Sequence, residues 1–328
     1  MSFDSVHTTG GRESIRDVLF DAERRLTAAG VPSPSADAGQ IVAFALGIQR
    51  NRLILQDAVD SDQRVQIERL MTQRLSRVPL QHLLGTTGFR RIEVAVGPGV
   101  FIPRPETELV TEAAIRELQS QPIGSRLAVD LCSGSGAIAI SLGMEVDNSR
   151  VHAVELSDDA ILWTRRNVNA YDDALAANGS RVEVIHADAA TVADRDQALA
   201  RLIGQVAVVV SNPPYIPDAM IPREIEVRDH EPKIALYGGE DGLDIVREVL
   251  KTAAILLSPG GLLVIEHADV QGADAAMRGV PGVAKAMTVD YEVSAITGLA
   301  LGTPVWTDVS DRIDLNGLPR FTIARRAR

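Results

Sequence analysis

Between residues 15 and 80 the apolar side chains recur at helical spacing. In "ESIRDVLFDAERRLTAAG", Ile15, Val18, Leu19, Ala22 and Leu26 fall on one stripe, and Gly30 followed by Pro32 is a stop signal. "SADAGQIVAFALG" is a second, more apolar helical stretch. In "SDQRVQIERLMTQRLSRVP", Ile67, Leu70, Met71 and Leu75 line one face and Pro79 ends the run. Short loops between amphipathic helices predict a small bundle, with its arginines on a solvated face. The pattern changes in "GTTGFRRIEVAVGPGVFI", residues 85–102, where glycines punctuate alternating apolar positions. That alternation predicts a β-hairpin joining two domains.

From Thr107 onward the rhythm is strand, helix, strand, helix. "RLAVDL", "RVHAVE", "RVEVIH", "QVAVVV" and "GLLVIE" are short β-branched runs, separated by helical stretches such as "DDAILWTRRNVNA" and "GLDIVREVLKTAAILL". The alternation predicts an α/β fold, a mostly parallel sheet with helices on both faces. Three parts are therefore expected: a helical domain over 1–84 that docks the substrate, a hairpin linker over 85–102 and an α/β domain over 103–328 that carries the chemistry. Ligands of such sheets bind beyond the carboxyl ends of the strands.

Composition narrows the function classes. Of 328 residues 23% are charged and 45% hydrophobic, as in an ordinary globular protein. The single cysteine, Cys132, excludes an internal disulfide framework and suits a reducing, cytoplasmic compartment. No apolar run reaches the roughly 18 residues of a membrane span, and the first residues do not read as a signal peptide. A net charge of −11 argues against a chain that grips nucleic acid directly, and favours a protein or small-molecule substrate.

Chemistry collects where the strands end. "AVDLCSGSGAIAI" is an acidic residue, a glycine turn and an apolar helix; Gly134 and Gly136 let the backbone approach a ligand. Gly134, Gly136 and Ala139 also satisfy the dinucleotide spacing, which keeps a nicotinamide oxidoreductase open. Glu155 ends the next strand, suited to ribose hydroxyls, and Asp188 the third, suited to an adenine amino group; each would equally serve as a helix N-cap. Cys132 reads as a small packed residue. "SNPPYIP" follows the apolar run "QVAVVV". Its two prolines cannot extend a ladder, and Pro214 fixes the direction of the Pro213 carbonyl. With the Asn212 side-chain carbonyl, that gives two acceptors for the two N–H bonds of an amide, and Tyr215 a flat face for it. His82, His230 and His267 read as structural, and no metal-ligand spacing is present.

With the glycine loop and "NPPY" together, the chain resembles the Rossmann-like S-adenosylmethionine-dependent class I methyltransferases. It resembles most the HemK/PrmC family of protein-(glutamine-N5) methyltransferases acting on peptide chain release factors. "PLQHLLG", "FIPRPETE", "DLCSGSGAIAI", "SNPPYI", "EPKIALYGGEDGLD" and "DLNGLPRFTIAR" carry the resemblance from residue 79 to the end. It implies a seven-stranded sheet, S-adenosylmethionine as cofactor, S-adenosylhomocysteine as product and release factors as protein partners. A monomer acting away from membranes is expected. The resemblance further implies that Asp130, Cys132, Ser133, Gly134 and Gly136 shape the methionine end of the cofactor site. Glu155 would hold the ribose and Asp188 the adenine, and Arg104, Glu106 and Thr107 would close over the cofactor. Arg104 could equally be a structural ion-pair partner. Asn212, Pro213, Pro214 and Tyr215 would bind the substrate amide and form the catalytic loop, Asn212 also touching the cofactor. A ribosomal-protein glutamine, or the exocyclic amine of adenine in a nucleic acid, remains an alternative substrate. Two departures stand out: Cys132 replaces the family's usual glycine, and residues 296–311 resemble an insertion before the last strand.

Overall fold

The computed structural model describes residues 12–272, 282–287 and 305–328. The described residues fall into two compact units. One holds those up to Gly85 together with Arg223–His230; the other holds Thr86–Pro222 and those from Glu231 onward.

The first unit is helical. It contains β1 (Glu13–Ser14), α1 (Ile15–Ala28), α2 (Pro34–Ala45), β2 (Ala58–Val59), α3 (Ser61–Leu75), α4 (Leu80–Leu84) and, from far along the chain, α8 (Ile225–His230). The stripe of α1 is buried at Ile15, Val18, Ala22 and Leu26, facing Ile67, Leu70 and Met71 of α3 in one core. A reciprocal cap starts α3: Asp60 Oδ1 accepts from Gln63 N at 2.9 Å and Gln63 Oε1 accepts from Asp60 N at 3.0 Å.

The expectation that the arginines form a solvated face fails at Arg74, which is 4% exposed. Its guanidinium donates to Asp37 Oδ2 at 2.7 Å and pairs with Glu226 at 2.8 Å. Arg77 adds a two-pronged pair to the same Glu226, at 2.8 and 2.6 Å. The acidic partner comes from α8, so no reading of the local helical pattern could find it.

The second unit is built on a seven-stranded sheet in the order β10-β11-β9-β8-β5-β6-β7. The strands are β5 (Leu127–Leu131), β6 (Arg150–Glu155), β7 (Arg181–His186), β8 (Val206–Ser211), β9 (Leu257–Glu266), β10 (Trp306–Ile313) and β11 (Pro319–Arg326). β9, β8, β5, β6 and β7 run parallel, while β11 is antiparallel to both β9 and β10. Side chains alternate between two apolar layers. Val208 and Val210 pack with α5 (Thr107–Ser120), α6 (Ala137–Glu145) and α7 (Ala160–Ala177); Val209 packs with α9 (Asp244–Leu256) on the other face. Burying both faces explains why these strands read as continuous β-branched runs.

The hairpin of β3 (Thr86–Phe89) and β4 (Ile92–Ala95) forms as its alternation predicts. Phe89, Ile92 and Val94 are buried in the same layer as α6. Asn167 of α7 fastens the hairpin, accepting from Ala95 N at 2.8 Å and donating to Ala95 O at 2.9 Å. The expected insertion over 296–311 needs correction: Trp306–Asp311 is edge strand, paired with β11, and 296–304 lie outside the described residues.

The ion pairs of Glu226 make a prediction. Burial alone would raise this carboxyl, but Arg77 and Arg74 outweigh burial and hold it down at about 2. A depressed carboxyl contributes stability above its unfolded value near 4.5, and that contribution disappears as pH falls towards 2. Glu226→Gln should therefore be less stable than wild type by about 3 kcal/mol near neutrality, with the difference vanishing towards pH 2. Urea denaturation of both proteins between pH 2 and 7 measures it.

Candidate active site

The chain visits β5, β6 and β7 in one direction across the sheet and then returns to β8 on the other side of β5. Strand order therefore reverses between β5 and β8, the place where sheets of this kind bind their ligands. After β5, Cys132 adopts φ +66°, in the left-handed region that favours glycine. A glycine would take up this conformation without the strain that the cysteine carries. Ser133 N donates to Val154 O at 2.9 Å, which seats the turn beside β6. A Cβ added to Gly134, whose φ is +55°, would meet nothing within 4 Å, so the turn faces open space.

Acidic side chains surround that space. Glu155 is 8% exposed, and its carboxylate accepts from Gly134 N at 2.7 Å and from Ser157 N at 2.8 Å. Asp130 is fully buried, and burial pushes its carboxyl well above the usual range. Its Oδ2 accepts from Ala139 N at 3.2 Å, while Oδ1 has no partner among the described residues. The buried Ser133 hydroxyl also lacks one. Two unsatisfied buried polar atoms beside an open glycine turn fit a ligand that brings its own donors. Asp188 is exposed and accepts from Ala190 N at 2.8 Å; Ala187 N, bonded to Glu155 O at 3.0 Å, keeps it next to the β6 end. Burial pushes the Cys132 thiol up, which keeps it protonated and makes it a packing group.

The "NPPY" loop leaves β8 on the opposite side of β5. Ser211 donates its hydroxyl to Leu131 O at 2.6 Å, tying the two strand ends together. Asn212 Nδ2 donates to Thr107 Oγ1 at 3.3 Å, and Pro213 is buried. The Tyr215 hydroxyl donates to Glu266 Oε1 at 3.3 Å, and its phenol is raised by burial, so it stays a neutral donor. Beyond Tyr215 the loop is braced by the segment after it. Ile216 N donates to Leu236 O and Gly238 N to Ile216 O, both at 2.9 Å, and Gln271 Nε2 reaches Tyr215 O at 3.0 Å. A Cβ on Gly242, φ +77°, would press on the Tyr215 carbonyl oxygen and the Gln271 amide.

The structure thus brings Asp130, Cys132, Ser133, Gly134, Gly136 and Glu155 into one turn, with Asp188 alongside, and joins Thr107 to Asn212. The Arg104 guanidinium lies 4.8 Å from the centre of the Phe101 ring and is paired with the buried Glu231. Glu106 stands at the N-cap of α5. His267 is wholly buried, with Nδ1 on Ala268 O at 2.8 Å and Nε2 on Asp311 Oδ1 at 3.1 Å, a structural arrangement. Sequence reasoning missed Glu266, Gln271 and Asn167. Glu266 carried a usable signal, since it ends the strand "GLLVIE" as Glu155 ends "RVHAVE". The other two act through backbone contacts that leave no local pattern.

The doubly layered sheet, the glycine turn and the proline-locked loop define a Rossmann-like methyltransferase. Residues 91–225 match the methyltransferase small domain, and residues 17–85 match the PrmC N-terminal domain. The chain is 44% identical over 313 residues to a release factor glutamine methyltransferase of Streptomyces coelicolor, covering 94% of this chain and 97% of that one. Enzymes of the same name from Bifidobacterium longum and Mycobacterium tuberculosis are 40% and 38% identical, over 79% and 95% of this chain and 88% and 92% of theirs. The chain belongs to the release factor glutamine methyltransferase family.

The loop brace can be tested at Gly242. Gly242→Ala introduces a backbone clash and a left-handed alanine, and should cost about 1–3 kcal/mol of stability. Thermal denaturation measures that loss. Methyl transfer by the folded variant should also fall, because the clash lands on the Tyr215 carbonyl.

Proposed function

We propose that this protein transfers a methyl group from S-adenosylmethionine to the side-chain amide nitrogen of a glutamine in peptide chain release factors, modulating translation termination. The release factor is the only macromolecular partner in this reading, and the reaction takes place in the cytoplasm; no described helix is long and apolar enough to cross a membrane. One observation carries the reading: Asn212 is held through its amide nitrogen by Thr107, which leaves its side-chain carbonyl without a partner among the described residues, beside a buried Pro213.

When bound, S-adenosylmethionine supplies a methyl group on a positively charged sulfur. The chain's residues do the rest. Glu155, 8% exposed and already bound to the Gly134 amide, is the acceptor suited to the ribose hydroxyls. Asp130 and Ser133 offer unpartnered oxygens to the polar methionine end. Asp188, exposed beside the β6 end, would accept from the adenine amino group. On the substrate side, an amide nitrogen is a weak nucleophile because its lone pair is delocalised. The Asn212 carbonyl and the Pro213 carbonyl accept its two N–H bonds, turn the lone pair towards the methyl carbon and favour the charge that develops on nitrogen. A carbon–nitrogen bond forms as the carbon–sulfur bond breaks, the sulfur keeps the electron pair, and one amide proton leaves to solvent. Tyr215 keeps the loop in place and offers its ring face to the planar amide.

Mass spectrometry of release factors incubated with this protein and labelled cofactor tests the reading; the gain of one methyl on a glutamine is expected. With saturating cofactor, Asn212→Ala should lower single-turnover transfer by about 10²–10³, as for loss of one preorganised polar contact. Glu155→Ala should weaken S-adenosylmethionine binding by about 1–3 kcal/mol in calorimetry.

A further inference from the structure

We infer that Thr164 and Asn167 of α7 are positioning residues for the cofactor, because they hold the glycine turn in its binding shape from behind. The proposal rests on the reading of that turn as part of the S-adenosylmethionine site.

A glycine-rich turn cannot hold its own backbone. Gly134 and Gly136 have φ of +55° and +82°, and a Cβ added to Gly134 would meet nothing within 4 Å. Without side chains to wedge them, such residues rotate their peptide groups freely unless hydrogen bonds fix them. Here both sides of the turn are fixed. Gly134 N donates to Glu155 Oε2 at 2.7 Å. On the carbonyl side Thr164 Oγ1 donates to Gly134 O at 2.7 Å, and Asn167 Nδ2 donates to Ser135 O at 2.9 Å. Because the peptide unit is planar, fixing the Gly134 carbonyl also fixes the direction of the Ser135 N–H. Thr164 has one proton and a second acceptor in reach, Ala160 O of its own helix at 3.0 Å; the contact with the turn is the shorter. Both side chains are buried, and a Cβ on Gly136 would come within 3.2 Å of Thr164 Cγ2, so the turn lies directly against α7.

Residues three and four positions apart share a helix face, which puts Thr164, Asn167 and Tyr171 in one row. Their backbone partners differ along the row. Thr164 reaches the glycine turn. Asn167 reaches the turn and, through Ala95 N and O, the β3–β4 hairpin as well. Tyr171 reaches the hairpin, its hydroxyl accepting from Glu93 N at 2.9 Å and donating to Glu93 O at 3.0 Å. The row thus separates holding the turn from holding the fold. A turn released from α7 must be ordered again each time the cofactor binds, and that ordering lowers affinity. Once the cofactor is bound, transfer depends on the loop after β8, so the loss falls on cofactor affinity and KM rather than on kcat.

Calorimetry with S-adenosylmethionine and S-adenosylhomocysteine on the full chain tests this, alongside thermal denaturation. Thr164→Val, which keeps the shape and removes the hydroxyl, should weaken binding of both about tenfold, and Thr164→Ser should restore most of it. Asn167→Ala should weaken binding at least as much and also lower Tm. Tyr171→Phe should lower Tm while cofactor affinity stays within about twofold of wild type. With saturating cofactor, methyl transfer to a release factor by Thr164→Val should stay within about threefold of wild type. If Asn167→Ala does not fold, Thr164→Val decides alone. Affinity within twofold of wild type in Thr164→Val would overturn the inference. So would a loss in Tyr171→Phe equal to that in Asn167→Ala, since the effect would then travel through the hairpin. Failure of the wild-type protein to bind S-adenosylmethionine would instead overturn the cofactor reading.

Discussion

The parallel pairing of β5 with β6 on one side and β8 on the other governs the position of every polar group in the site. Val129 sits opposite both His152 and Val209, so the three strands end at one level. The glycine turn, Glu155 and the "NPPY" loop therefore issue from adjacent points with no long connection to place them. A one-residue slip in either pairing would turn Asp130 to the other face of the sheet, away from the Ala139 amide that it holds. Register is secured by apolar packing on both faces, so the core and the chemistry depend on one alignment.

Electrostatically the site is costly. Asp130 and Glu266 are buried carboxyls raised by desolvation, and Glu155 is only 8% exposed. Such groups contribute little to folding and are tolerated where their partners are fixed. Here the partners are backbone amides at strand and helix ends, together with the Tyr215 hydroxyl. The rigid elements of the fold thus satisfy polar groups that burial would otherwise make costly.

Much of the fold was legible because each strand of the sheet interior is buried on both faces and each helix on one. Those periods appear directly in runs such as "QVAVVV" and in the stripe of α1. The glycine turn and the proline pair were legible because their residue types answer local backbone demands. Glu266, Gln271 and Gly242 were not, since their importance comes from contacts with Tyr215 made over 27 residues or more of intervening chain. The edge strand β10 was hidden for a related reason: it has one neighbour and half of it faces solvent, so its sequence lacks the apolar run of an inner strand.

The ion pairs around Glu226 have a consequence for synthesis. Arg77 and its partner are separated by 149 positions in the chain. While the protein is being made, Arg74 and Arg77 leave the ribosome long before their shared counter-ion exists. The helical unit reaches its native charge balance only after the loop-bearing strand β8 has emerged. A unit that looks N-terminal is, in folding order, finished late.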